Sequence, residues 1–168
     1  MKITTLLLTP AVLLFVACQP AAAPGPSPSF SPPTASPAPT AAGGLEGVVA
    51  DLRAAGVDAA AGGQFLSAPI GGQGTVICIG AESVQTYQFI DHEAALAAAS
   101  KIDRQDPSKI DNGIVDWAGT PRFWLRQNMI VLYLGEDDAT NAALRTLLGS
   151  PFAEGQPGRP PLPGPDCA

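Results

Sequence analysis

Apolar residues recur at helical spacing in three stretches of the chain. In residues 45–55 they stand at positions i, i+3, i+4 and i+7, which gives one apolar stripe and predicts an amphipathic helix. That stripe consists of Leu45, Val48, Val49 and Leu52. A second helix is predicted from Asp91, a residue type that caps helix N-termini, to about Ile102. A third follows Glu136-Asp137-Asp138, whose negative charges favour the positive end of a helix, and ends at Gly149.

Segments rich in β-branched and aromatic residues lie between these helices and predict β-strands. They cover residues 65–70, 75–79, 83–89 and 114–118. Gly62 and Gly63 are expected in a loop ahead of the first strand. Residues 122–134 predict a hairpin with Gln127 and Asn128 in its turn, Asn128 being the better suited to a left-handed conformation. The expected cross-strand pairs are Phe123–Leu132 and Leu125–Ile130 on one face, and Arg122–Tyr133, Trp124–Val131 and Arg126–Met129 on the other.

The order of these elements is helix, strands, helix, strands, helix. It predicts an α+β fold in which about three helices pack on one face of a small antiparallel sheet. Residues 19–44 contain eight prolines and no charged side chain. They cannot bury enough apolar surface to fold, so a disordered linker is expected there. The proline-rich tail, residues 153–168, is expected to be disordered as well, which leaves one compact domain at residues 45–152.

Charge and motif content exclude several classes of function. The chain has 15 Asp and Glu residues against 9 Lys and Arg. It contains no basic run that could follow a phosphate backbone, so nucleic acid is not an expected partner. His92 is the single histidine, and no Gly-x-Ser-x-Gly motif or metal-ligand spacing accompanies it. The sequence therefore predicts no catalytic residue, no metal and no cofactor.

Arginine and aromatic residues alternate on one face of the predicted hairpin. This face carries Arg122, Trp124, Arg126 and Tyr133. Such a composition is enriched at binding surfaces, where it stacks on ligands or grips carboxylates and sugars. The alternative is that a helix or the tail covers the aromatic rings while the arginines pair with local acids such as Asp116.

The N-terminus has the organisation of an export signal. A basic start at Lys2 precedes an apolar span, residues 3–17, that is shorter than the about 20 residues a membrane-spanning helix needs. Phe15-Val16-Ala17-Cys18 resembles the lipobox of bacterial lipoproteins. The resemblance implies that a signal peptidase removes residues 1–17 and that the Cys18 thiol carries a diacylglycerol. An ordinary secretory signal with an incidental cysteine is the alternative.

Two stretches of the domain carry a second resemblance. They are residues 65–89 and the segment from Arg122-Phe123-Trp124, through residues 130–135, to Leu148-Gly149-Ser150-Pro151-Phe152. On these residues the chain resembles a group of small uncharacterised bacterial lipoproteins. The resemblance implies a shared fold and no particular activity.

Lipidation of Cys18 would leave two further cysteines, Cys78 and Cys167. Outside the cytoplasm a disulfide between them would persist and would hold the tail to the strand of Cys78. A buried, free Cys78 with an unpaired Cys167 is the other possibility.

Together these features predict an exported protein held at the cell membrane or outer membrane by lipid alone. Its domain is expected to be non-enzymatic, and either structural or a binding module for a protein, a glycan or a small molecule. The alternative is a cell-envelope hydrolase that works with carboxylates. That alternative requires two acids to share a pocket, and the candidates are Asp51, Asp91, Asp116 and Glu136.

Overall fold

The computed structural model of the chain describes residues 44–158 and residue 167. The predicted signal peptide, Cys18 and almost all of the predicted linker lie outside the described residues, as does most of the C-terminal tail. In the part of the chain that is described, no helix has the length and apolar character needed to cross a membrane.

The described residues form an α+β domain, as the sequence predicts. Its helices are α1 (Leu45–Ala54), α2 (His92–Ala99) and α3 (Asp138–Leu148). The main sheet contains β1 (Ala59–Phe65), β2 (Gln73–Ile79), β3 (Glu82–Gln88), β6 (Arg122–Arg126), β7 (Met129–Tyr133) and β8 (Ala153–Glu154). All neighbours are antiparallel, in the order β1-β2-β3-β7-β6-β8. A separate two-stranded hairpin consists of β4 (Lys109–Ile110) and β5 (Gly113–Ile114).

The helix boundaries follow from capping residues that are visible in the sequence. The Asp91 carboxylate accepts a hydrogen bond from the Ala94 amide at 2.8 Å, and Asp137 accepts from the Thr140 amide at 2.7 Å. Each bond satisfies one of the amides that a helix N-terminus leaves without a helical partner. At its other end α3 stops at Gly149, whose φ of 82° suits glycine.

The β6–β7 hairpin has the predicted register. Arg122 is paired with Tyr133 and Arg126 with Met129, and the three pairs between them are also as expected. The turn differs in one respect, because the positive φ of 50° falls on Gln127 and not on Asn128. Asn128 instead donates its side-chain amide to the Phe89 carbonyl oxygen at 2.7 Å. The asparagine therefore ties the hairpin to the chain that leaves β3.

The helices are divided between the two faces of the sheet, so the expectation of one covered face is corrected. On one face α1 and α3 cover an apolar layer that includes Trp124, Val131 and Tyr133. On the other face α2 packs in a second layer that includes Phe123 and Leu132. Both layers form because β6 and β7 are apolar on both sides, and an uncovered side would leave large apolar groups in water.

Several predicted strand boundaries are wrong. The first strand occupies Ala59–Phe65 and runs through Gly62 and Gly63, which were expected in a loop. Pairing with β2 outweighs the low strand preference of its Ala-Ala-Ala-Gly-Gly sequence, and the register shifts between Ala61 and Gln64. The predicted strand at residues 114–118 is limited to its first residue, which belongs to β5.

The sheet also continues beyond the expected end of the domain at residue 152. Ala153 and Glu154, assigned to the disordered tail by composition, form the edge strand β8 against β6. Ala153 is buried, and a small apolar side chain suits its place beside Phe123. The domain therefore includes the first part of the predicted tail.

Candidate functional site

A cleft of about 480 Å³ lies between the loop before the β4–β5 hairpin, the segment that enters β6 and the chain that follows β8. Its polar lining residues are Gln105, Asp106, Ser108, Asp116 and Gln156, and its larger apolar ones are Val115, Trp117 and Pro121. The hairpin is held in place because Ile110 is buried in the α2-side layer, next to Ile102, with which it forms a bridge. The cleft is thus built on the α2 side of the sheet.

One wall of the cleft is a loop organised by carboxylates. Asp103 accepts hydrogen bonds from the amides of Gln105 and Asp106 at 2.9 and 3.2 Å, which shapes the turn. The Ser108 hydroxyl donates to Asp106 at 2.5 Å, and the Lys109 ammonium lies 2.9 Å from the other carboxylate oxygen. The hydrogen bond from Ser108, together with the nearby Lys109, lowers the pKa of Asp106. Asp106 is therefore ionised at neutral pH and partly neutralised by Lys109.

Trp117 is held in a fixed orientation at the cleft. Its indole nitrogen donates to the Pro107 carbonyl oxygen at 2.9 Å, and its ring meets Phe123 edge to face with centroids 5.7 Å apart. The ring is half-buried, so part of its surface is open to the cleft. A tryptophan fixed in this way presents a rigid, flat apolar surface without a further cost in side-chain entropy.

The opposite wall depends on glycines. The amide of Gly155 donates to the Pro121 carbonyl oxygen at 2.9 Å, and the amide of Gly158 donates to the Gly119 carbonyl oxygen at 3.2 Å. A Cβ atom on Gly158 would lie 2.6 Å from the carbonyl oxygens of Trp117 and Gly119. Only glycine permits this close approach of two backbone segments, so Gly158 is required where the chain after β8 meets residues 117–119.

The candidate carboxylates are not brought together. Asp116 lines the cleft, whereas Asp91 caps α2 and Asp51 pairs with Arg126. Glu136 lies elsewhere and accepts from the Thr120 hydroxyl at 2.5 Å. The second carboxylate of the cleft is Asp106, which no motif in the sequence distinguishes.

The sheet face that carries the arginine and aromatic residues is not an exposed binding surface, and the structure agrees with the alternative in which helices cover the aromatic rings. Trp124 and Tyr133 are 1% and 0% exposed. The Trp124 indole nitrogen donates to the Gly149 carbonyl oxygen at 2.8 Å, at the end of α3. Arg126 pairs with Asp51 of α1. The four side chains share one sheet face, as predicted, but α1 and α3 cover that face.

Arg122 is buried at the centre of a polar network whose carboxylates, Glu136 and Glu154, are exposed. Its guanidinium donates to the Gly135 carbonyl oxygen at 2.8 Å. Its Nε atom lies 3.1 Å from Oε1 of Glu154, and its Nη2 atom lies 3.4 Å from Oε2 of Glu136. The hydrogen bond from Thr120 and the charge of Arg122 lower the pKa of Glu136. Burial of Glu154 opposes its ionisation, but hydrogen bonds from Arg145 and Arg122 outweigh burial and lower its pKa. These contacts join β6, β8 and the start of α3.

Two remaining candidates have defined places. His92 is exposed in the first turn of α2, with its Nδ1 atom 2.5 Å from the Gln127 carbonyl oxygen. Among residues 44–158 and 167, no group of three or more His, Cys, Asp or Glu side chains could hold a metal ion.

Cys78 and Cys167 form a disulfide with a Cα–Cα distance of 5.3 Å. Because Ile77 and Ile79 face α1, the alternation of β2 places the Cys78 side chain on the α2 side of the sheet.

No protein-family model, no curated protein and no solved structure matches the chain. Any function must therefore be inferred from the cleft and from the organisation of the chain itself.

Proposed function

We propose that this chain is a lipid-anchored extracytoplasmic protein whose domain binds a small ligand in the Trp117 cleft without transforming it. The observation that carries the binding role is the cleft itself. Its volume of about 480 Å³ falls in the range of small-molecule sites, roughly 300–1,000 Å³. A fixed indole surrounded by a few polar groups is also the composition such sites use to orient a ligand.

The location rests on the N-terminal sequence and on the disulfide. The lipobox resemblance at Cys18 supports attachment to a membrane, and the uncharged proline-rich stretch after it supports a spacer. The Cys78–Cys167 bond supports an oxidising compartment, since disulfides are rare in the cytosol.

A non-enzymatic role is favoured by the ionisation of Asp106, one of the two cleft carboxylates. A carboxylate hydrolase needs one acid whose pKa is raised, so that it can protonate the leaving group. The pKa of Asp106 is shifted in the opposite direction by Ser108 and Lys109. Asp106 is therefore unsuited to act as the general acid beside Asp116.

The binding role can be tested by NMR, using the chain from residue 19 onward, which keeps every described residue. The sequence contains two tryptophans, Trp117 and Trp124, so the spectrum has two indole N–H signals. Trp117 lines the cleft, whereas Trp124 is 1% exposed under the helices and serves as an internal control. Screening a library of polar small molecules should yield ligands that shift the Trp117 signal and leave the Trp124 signal unchanged.

Each ligand from that screen should bind several-fold more weakly to Gln156→Ala, a change of an exposed cleft residue. It should keep its effect in Leu66→Ala, because Leu66 is 94% exposed and is not a lining residue of the cleft. Ligands that shift both indoles equally, or a library that shifts neither, would refute the binding role.

The anchor is tested separately by expressing the full chain in a bacterial host and fractionating the cells. The unchanged chain should remain with the membranes until detergent is added. Cys18→Ser should appear in the detergent-free soluble fraction or retain its uncleaved signal, while Cys78→Ser should still be membrane-bound. Equal membrane retention of a processed Cys18→Ser chain would refute lipid anchoring.

A further inference from the structure

We propose that the ligand of the cleft is an uncharged saccharide whose ring packs on the indole of Trp117. This proposal rests on the proposed binding function and specifies the chemical class of its ligand. It follows from comparing the lining of the cleft with what each ligand class requires.

Anionic ligands fit the cleft poorly. Two carboxylates, Asp106 and Asp116, line it, and no Lys or Arg is among its described lining residues. The neighbouring Lys109 is already directed to Asp106 at 2.9 Å. A phosphate or carboxylate in the cleft would meet like charges at short range, and the described lining residues include no guanidinium to receive it.

Acyl chains and other apolar ligands are also disfavoured. A lipid tail would remove water from Asp106, Asp116 and the two glutamine side chains without offering them hydrogen bonds in return. Burying a polar group without a partner is unfavourable, and burying a charge is more so. The apolar lining, chiefly Trp117 with Val115 and Pro121, covers too little of the cleft to offset this cost.

A cationic ligand has weaker support than an uncharged one. Asp106 already accepts a hydrogen bond from Ser108 and an ion pair from Lys109. A cation would have to compete with Lys109 for that carboxylate. Among the described residues, the cleft included, no group of three or more His, Cys, Asp or Glu side chains could hold a metal ion.

An uncharged saccharide suits the described lining of the cleft. Its hydroxyl groups both donate and accept, so they can donate to the carboxylates of Asp106 and Asp116 and exchange hydrogen bonds with the amides of Gln105 and Gln156. The C–H face of a sugar ring is apolar and suits the flat surface of an indole. The Pro107 and Phe123 contacts fix Trp117 before the ligand arrives, which reduces the entropic cost of binding.

The test compares three probe classes in the indole NMR experiment on the chain from residue 19 onward. The saccharide probes are neutral trisaccharides of glucose and of N-acetylglucosamine in both α- and β-linked forms, with galactose- and mannose-containing trisaccharides. Choline and lysine methyl ester represent cations, and inorganic phosphate and citrate represent anions. At least one trisaccharide should shift the Trp117 signal in a saturable manner and leave the Trp124 signal in place.

Variants then define the contacts of that saccharide. Gln156→Ala and Asp116→Asn should each weaken its binding several-fold, and Trp117→Ala should weaken it about tenfold or more. Trp117→Phe keeps an aromatic face and should retain part of the affinity. Leu66→Ala should bind the saccharide as the unchanged chain does, since Leu66 is exposed and is not a lining residue of the cleft.

The outcomes separate this proposal from the function on which it rests. If choline or lysine methyl ester shifts the Trp117 signal and no saccharide does, the saccharide class is wrong while the cleft remains a binding site. If a saccharide binds but Gln156→Ala and Asp116→Asn leave its affinity unchanged, the proposed placement is wrong. If no probe of any class shifts Trp117 and the library screen also fails, both proposals are refuted. Gln156→Ala keeps the test decisive even if Trp117→Ala does not fold.

Discussion

Removing the Cys78–Cys167 bond should destabilise the domain substantially. The simplest perturbation is Cys167→Ser in the chain from residue 19 onward, where Cys78 and Cys167 are the remaining cysteines. The bond links residues separated by 89 positions, so it closes most of the described domain into one loop. Without the bond, Cys167 would lose its covalent link to Cys78 of β2.

The magnitude follows from the loop that the bond closes. For a separation of 89 residues, the chain-entropy model gives about 4.6 kcal/mol at 25 °C. Measured losses for native disulfides of small exported domains are commonly about 2–5 kcal/mol. Domains of this size are stable by only about 5–15 kcal/mol, so the variant should lose a large share of its free energy of unfolding.

Urea unfolding followed by tryptophan fluorescence measures this loss. With a typical urea dependence of about 1–3 kcal/mol per molar, the midpoint of Cys167→Ser should fall by about 1 M or more. The unchanged chain in reductant should match the variant, and the variant should not respond to reductant. Equal midpoints for the oxidised chain and Cys167→Ser, or two free thiols in the unfolded oxidised chain, would refute the reasoning.

Three further changes test the core, the caps and the polar network. Phe123→Ala should lower the free energy of unfolding by about 3–5 kcal/mol, because the Phe123 side chain of β6 is 0% exposed in the layer under α2. A loss below about 1 kcal/mol in urea unfolding would contradict that packing. Asp137→Ala should cost about 1 kcal/mol by removing the cap of α3, measurable in the same assay, with exposed Asp138→Ala as a control expected to change stability less. Thr120→Val removes the hydrogen bond that most lowers the pKa of Glu136, so NMR titration should show that pKa rising towards its usual value of 4.5, and an unchanged pKa would exclude the assigned cause. Because this pKa is lowered by folding, its contribution to stability is full above pH 4.5 and is lost as the pH falls through the folded value, and Thr120→Val should weaken that acid dependence.

The elements that sequence reasoning located are those governed by local chemistry. The cap at Asp91 and the acidic start of α3 depend on residues within one helical turn, and the β6–β7 register depends on alternation around a short turn. Both kinds of signal are contained in a few consecutive residues. The division of the helices between the two sheet faces differs from the predicted single covered face, because β6 and β7 place large apolar side chains on both faces and each face needs a cover.

The elements that sequence reasoning misplaced depend on distant partners. β1 contains three alanines and two glycines and is a strand because β2 supplies its hydrogen bonds. The cleft combines Asp106, Trp117 and Gln156, which come from three separate segments. Their meeting depends on the burial of Ile110 and on the close approach of Gly158 to Gly119, and neither contact is encoded in a local pattern.

The proposed location is tested most directly by mass spectrometry of the N-terminal peptide. The location also determines where the cleft would meet its ligand. The full chain would be produced in a bacterial host, extracted from membranes with detergent and digested. The account predicts a first peptide that begins at Cys18 and carries the added mass of a diacylglycerol with its acyl chains. A first peptide that begins at any other residue, or an unmodified Cys18, would contradict it.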